Sequence, residues 1–153
     1  MKRAVLIVDL QKAFPAPAKL IADIKRYSQR FEHRIFTRFV NPHGSLFRQI
    51  LQRNSCPPGS PDTALLIEPD DDDIVLTKTG YGLKPGHIKK IKDTGAEQVI
   101  VCGIDTDACV LGVMFSLFDA GIDCRVKKDL CWSSSGLHEE ALKIVEEQFP
   151  PAK

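Results

Sequence analysis

Three residues able to do chemistry together stand far apart in the chain, each at the end of an apolar run. Cys109 lies in GIDTDACV (103–110), Asp9 closes AVLIVD (4–9), and Lys78 sits in IVLTKTGYG (74–82). A thiol with an ordinary pKa of about 8.5 becomes a nucleophile when a helix amino terminus, a cation or a base stabilises or generates its thiolate. The 103–109 turn is expected to open a helix, with Asp105 or Thr106 as its cap and backbone N–H groups gathered around Cys109. Asp9 is the candidate base, because a carboxylate following four aliphatic residues adds nothing to their packing. An ammonium at Lys78 can orient Asp9, favour the thiolate or hold charge developing on a substrate.

Each residue also has an ordinary structural explanation. Buried unreactive cysteines are common, and Cys102 and Cys124 are read as such. Asp9 can cap the turn after a strand, and Lys78 can lie along a sheet edge with its head in water. The combination is more specific than any member.

The elements that must position these residues follow from apolar patterning. Runs near residues 4, 34, 73, 98 and 123 suit strands, and Val5–Val8 and Val99–Val101 are continuous, as in strands covered on both faces. Between them, residues 18–31, 85–95, 107–121 and 136–149 carry helical spacing, with Pro85 near one start and Gly95 and Gly121 at ends. Alternating strands and helices predict a doubly wound, three-layer α/β/α fold with a mostly parallel sheet of five or six strands. Ligands of such sheets bind at the carboxyl ends of the strands. Residues 53–73 contain four prolines and four consecutive aspartates, predicting an irregular excursion with at most a short element at 64–67. The aspartate run is read as a solvated turn, since it lacks the spaced acceptors and glycine of a calcium loop.

The 153 residues suit one domain, 1–153. Lys plus Arg total 21 against 20 Asp plus Glu, which gives no argument for nucleic acid or an anionic membrane and favours a small-molecule partner. Five cysteines without a Cys-x-x-Cys pair point to reduced thiols in a cytoplasmic protein. The first apolar run is broken at Asp9, too early for a membrane span.

VDLQKAF (8–14), LTKTGYG (76–82) and GIDTDACV together resemble the isochorismatase-like cysteine hydrolases, which include nicotinamidases and N-carbamoylsarcosine amidohydrolase. The matching residues are Asp9, Gln11 and Phe14, then Lys78, then Gly103, Thr106, Cys109 and Val110, and the similarity runs to Asp129 and Ser133–Ser135. The resemblance implies a Rossmann-like sheet and a catalytic triad in which Asp9 deprotonates Cys109, Cys109 attacks a carbonyl, and Lys78 stabilises the charged pair. It further implies an oxyanion hole of the Asp105 and Cys109 backbone N–H groups, a cis peptide at Ile104–Asp105, pocket walls including Phe14 and Tyr81, and a homo-oligomer. Nicotinamidases bind a metal through Asp-x-His after the second strand. Here Asn41 replaces that aspartate and only His43 is near, so no metal and no other cofactor are expected.

Two other classes compete. A receiver-like signalling module needs a second acid beside Asp9 and an aspartate ending the third strand, positions held by Leu10 and by Thr77 and Lys78. A binding protein on the same fold needs no intact Cys109, Asp9 and Lys78. A thiol oxidoreductase lacks a resolving pair, Cys102 and Cys109 being seven apart.

Overall fold

The computed structural model describes residues 1–152, and Lys153, the last residue of the expected domain, lies outside them. Five parallel strands form one sheet among the described residues: β1 (Arg3–Val8), β2 (His33–Phe39), β3 (Ile74–Lys78), β4 (Gln98–Ile104) and β5 (Asp123–Trp132), in the order β3-β2-β1-β4-β5. β1 is central, and its residues from Ala4 to Val8, like all of β4, are buried. That placement accounts for two apolar runs with no polar alternation.

The helices are α1 (Ala18–Ser28), α2 (Leu46–Gln49), α3 (Pro85–Asp93), α4 (Leu111–Asp119) and α5 (His138–Gln148). The path β1-β2-β3 steps one way across the sheet and β3-β4-β5 the other. Right-handed crossovers therefore put α1 on one face and α3 and α4 on the opposite one. The reversal opens a crevice at the carboxyl ends of β1 and β4. Among the described residues no helix is long and apolar enough to cross a membrane.

Helix boundaries follow local chemistry. α1 stops at Ser28, short of the expected Phe31, because Ser28 Oγ donates to Lys25 O at 2.9 Å and the chain tightens through Arg30 N→Tyr27 O and Phe31 N→Ser28 O, both 3.2 Å. Gly95 and Gly121 close α3 and α4 at φ of 76° and 78°. β5 is less regular than the other strands: Val101 faces Val126, but Gly103 faces Cys131, so residues 127–130 leave the ladder.

The 53–73 excursion holds a 3-10 turn at Pro61–Thr63, and the element expected at 64–67 is an isolated bridge between Leu65 and Gln11. It is fastened down. Lys12 N donates to Ala64 O (2.8 Å), Ala13 N to Asp62 O (2.9 Å) and Leu66 N to Leu10 O (2.9 Å). The fully buried Gln11 joins this segment to β2, its Nε2 donating to Thr63 O and Phe39 O and its Oε1 accepting from Phe39 N, all at 2.9 Å.

The aspartate run also differs from a simply solvated turn. Asp71 and Asp72 are exposed, but Asp73 takes the Arg34 guanidinium, with Nε 3.1 Å from each carboxylate oxygen, and Asp70 lies 3.3 Å from Nη2. The Arg34 and Asp73 side chains are 9% and 7% exposed. Asp73→Ala leaves a nearly buried guanidinium short of its counter-charge and is expected to cost about 3 kcal/mol, whereas Asp72→Ala costs less than about 0.5 kcal/mol. Urea unfolding of the two variants checks the contrast.

Candidate active site

Asp9 follows β1 directly and adopts φ 48°, a left-handed conformation that aspartate tolerates better than a branched residue. It is 1% exposed. Oδ1 accepts from Thr37 Oγ1 at 2.7 Å, and the same hydroxyl oxygen accepts the Asp9 backbone N–H at 3.0 Å. Thr37 lies in the middle of β2 and was not singled out from the sequence. The available signal was a hydroxyl among Ile35, Phe36 and Phe39 in a strand bound for the interior.

Lys78 ends β3, an edge strand, so β2 lies between it and Asp9. Its ammonium still reaches the carboxylate, with Nζ 2.9 Å from Asp9 Oδ2, and it also donates to Gly80 O (2.7 Å) and Tyr81 O (3.2 Å). The Phe39 ring centroid is 5.5 Å away. Lys78 is 1% exposed, which rules out the solvated-head alternative. Asp9 Oδ2 has this charge contact but no formed hydrogen bond among the described residues.

Cys109, half-buried, lines the same cavity as Asp9, and the charges of Asp9 and Lys78 both bear on its thiol. Burial, and then the Asp9 charge, push the thiol well above its ordinary pKa, and Lys78 opposes them without prevailing. Burial works against the Lys78 ammonium, but the charge of Asp9 beside it opposes burial and the pKa is raised, so Lys78 stays protonated. The resting arrangement is therefore a neutral thiol beside an ion pair. The Cys109 thiolate has to be generated by proton transfer, since it is not stabilised at rest. Alkylation of Cys109 by iodoacetamide, followed by peptide mass spectrometry, is expected to quicken steadily from pH 7 to pH 10. A plateau already reached by pH 8 would contradict this electrostatic picture.

The Ile104–Asp105 peptide is cis. The following turn departs from the expected cap. It opens as a wide π turn over Thr106–Val110, with Val110 N donating to Asp105 O at 3.1 Å, and Asp105 makes no side-chain cap. Instead its carboxylate accepts from Ser134 N (3.2 Å) and Ser134 Oγ (2.9 Å). Asp107 accepts from Ser135 Oγ at 2.8 Å, and Thr106 Oγ1 pairs with His138 Nδ1 at 2.8 Å. The Ser133–Ser135 segment thus braces the turn that carries Cys109, and α5 begins only at His138.

A cavity of about 310 Å³ opens over Asp9 and Cys109. Phe14 and Tyr81 line it, as do Ile104, Asp105 and Ala108 and, from the excursion, Arg53, Asn54 and Ser55. Phe39 and Phe47, not identified from the sequence, complete an aromatic wall. Ring centroids are 6.5 Å apart for Phe14 and Phe39, 5.1 Å for Phe39 and Phe47, and 5.0 Å for Phe47 and Tyr81. Asn41 is buried at the edge of this cavity, where its Nδ2 donates to Arg53 O at 2.9 Å and its Oδ1 accepts from Ser45 Oγ. His43 is exposed, and among the described residues no group of three His, Cys, Asp or Glu side chains converges as metal donors.

The comparisons with known proteins agree with this architecture. A segment of 67 residues is 30% identical to isochorismatase domain-containing protein 2 of Xenopus laevis, covering 42% of this chain and 33% of that protein, so the match spans about a third of the relative's length. An isochorismatase-like hydrolase from Alkaliphilus metalliredigens superposes with a TM-score of 0.88 at 14% identity, over 99% of this chain and 94% of the other. A pyrazinamidase of Pyrococcus horikoshii, solved in complex with zinc, superposes with a TM-score of 0.82 at 20% identity over 96% of each chain. The profile of the isochorismatase domain matches residues 3–151, and the chain belongs to that family.

Proposed function

We propose that the protein is a cysteine-dependent hydrolase of a small amide or related carbonyl compound. The observation that carries this reading is the buried Asp9–Lys78 pair, 2.9 Å apart, with Asp9 and the thiol of Cys109 lining one aromatic cavity. An ion pair is not needed to fill a core, and removing two charges from water costs several kcal/mol per ion. Its placement beside a nucleophile gives that cost a use.

In this mechanism Asp9 Oδ2 takes the thiol proton as Cys109 Sγ bonds to the substrate carbonyl carbon. The carbonyl oxygen becomes an oxyanion facing the backbone N–H groups of Asp105 and Cys109. When the carbonyl re-forms, the carbon–nitrogen bond breaks and the amine leaves with the proton from Asp9. Water then attacks the thioester, gives its proton to Asp9, and the acid departs as Cys109 recovers its hydrogen. Lys78 remains an ammonium throughout. It holds the carboxylate in place and offsets charge on whichever of Asp9 and Cys109 is anionic.

For the zinc of the Pyrococcus pyrazinamidase, the described residues of this chain offer no cluster of three His, Cys, Asp or Glu donors. The Asn41 amide is engaged by Arg53 and Ser45, and an amide is a poor substitute for a carboxylate ligand. No step of the mechanism uses a metal. The receiver-like reading is disfavoured by Leu10, which is 1% exposed and packed in the core where a second acid would be required.

The test is a hydrolysis screen over small aromatic and carbamoyl amides, with quenched samples analysed for an acyl adduct on the Cys109 peptide. Turnover with an adduct on Cys109 supports the reading. Turnover without one, and unaffected by Cys109 alkylation, would overturn it.

A further inference from the structure

We infer that the protein has a second small-molecule site, at the end of the sheet opposite Cys109, built for a compact phosphate-type anion of two or more charges, such as a phosphate monoester or pyrophosphate. Arg3 opens β1 and Asp9 follows its end, which separates the two sites by about 20 Å at ~3.3 Å per residue. A cavity of about 440 Å³ lies there, with Arg3, Arg26, Arg30 and Lys127 among its walls and Asp23 and Asp129 as its two carboxylates.

The charges do not cancel. Asp23 is held by Lys19 (2.6 Å) and Arg26, and Asp129 by Lys127 (2.9 Å). Arg3 and Arg30 have no carboxylate within ion-pair distance among the described residues, yet both are oriented. Arg3 Cζ lies 5.7 Å from the Phe31 ring centroid, and Arg30 Cζ lies 5.6 Å from that of Tyr27. A ring face positions a guanidinium without consuming its N–H donors or its charge, which leaves the planar fork available for bidentate recognition of an anion. The carboxyl end of α1 contributes roughly half a negative charge here, too little to offset two guanidiniums.

A second feature of the fold serves the same place. Lys127 belongs to the residues of β5 that leave the ladder, and its Nζ lies 5.6 Å from the Tyr27 ring centroid, joining Arg30 around the same ring. Bulges often re-aim a side chain in this way. Two uncompensated forks suit a multiply charged anion with several oxygens better than a single carboxylate, which one fork would satisfy.

The experiment is a calorimetric titration of the full chain with sodium pyrophosphate at fixed ionic strength, with NaCl as the reference. Saturable one-site binding is expected, weakened at least about tenfold in Arg3→Gln/Arg30→Gln and unchanged in Lys90→Gln, an exposed cation of α3. Arg30→Lys, which keeps the charge but not the fork, is expected to lie between. Arg3 and Arg30 are exposed, so melting curves in NaCl should coincide and rule out misfolding as the cause. Absence of saturable heat, or equal affinity in the double variant, would overturn the site. Binding to phosphatidic-acid vesicles with no saturable heat from pyrophosphate would overturn its assignment to a soluble ligand. Amide hydrolysis is independent of all these outcomes.

Discussion

On the proposed mechanism, Cys109→Ala is expected to lower kcat/KM for any small amide the protein hydrolyses by at least about 10⁴-fold while shifting the melting temperature by no more than a few degrees. Removing the nucleophile of a hydrolytic triad leaves only the catalysis supplied by binding and oxyanion stabilisation. The fold has little at stake at this atom. Cys109 is half-buried in the lining of a cavity, its thiol forms no complete hydrogen bond, and the Asp9–Lys78 pair does not depend on it. Loss of one sulfur should cost about 1 kcal/mol. Cys109→Ser separates position from chemistry, because it keeps a hydroxyl in place but gives up the nucleophilicity of sulfur. Turnover within tenfold of wild type in Cys109→Ala would end the hydrolase reading.

The largest effect on stability is expected from Gly103→Ala. Gly103 lies in β4 with φ 119°, and a Cβ built on it would stand 2.4 Å from Val8 O and 2.6 Å from Val8 N. Both are backbone atoms of the central strand, so no rotamer change can make room. The substitution must push β1 and β4 apart or rotate a residue whose conformation is strained for any side chain. A loss above about 5 kcal/mol is expected, comparable to the whole margin of a typical domain, and would appear as insoluble protein or a lost cooperative melt. Gly121→Ala is the control. It has positive φ but open space around the new Cβ, and should cost only about 1 kcal/mol.

Some of this was legible in the amino-acid sequence, and the remainder has physical reasons for being hidden. β1 and β4 could be read because strands buried on both faces carry unbroken apolar runs. The ends of α3 and α4 could be read because glycines at positive φ mark them. Asp9, Lys78 and Cys109 could be placed at strand ends, but strand order is not written in the residues. Lys78 ends an edge strand and reaches Asp9 from the far side of β2. Thr37, Gln11 and Ser134 act only through partners 28 to 52 residues away, a separation that local patterning does not report. The π turn at 106–110 has the apolar spacing of an ordinary helix start, so its wider ring could not be anticipated. α2 is four residues long and too short to carry a period. Phe47 enters the pocket from it.

The reach of Lys78 across β2 ties the proposed chemistry to an edge ribbon of the sheet. β3 is hydrogen-bonded on one side only, and three of its five residues are not buried. Such strands open at lower free energy than a protein's centre. Mild heat or low urea that peels β3 away would withdraw the ammonium while the middle strands stayed zipped. Inactivation should then precede global melting, and the gap between the two midpoints would report how tightly the outermost ribbon is stitched on.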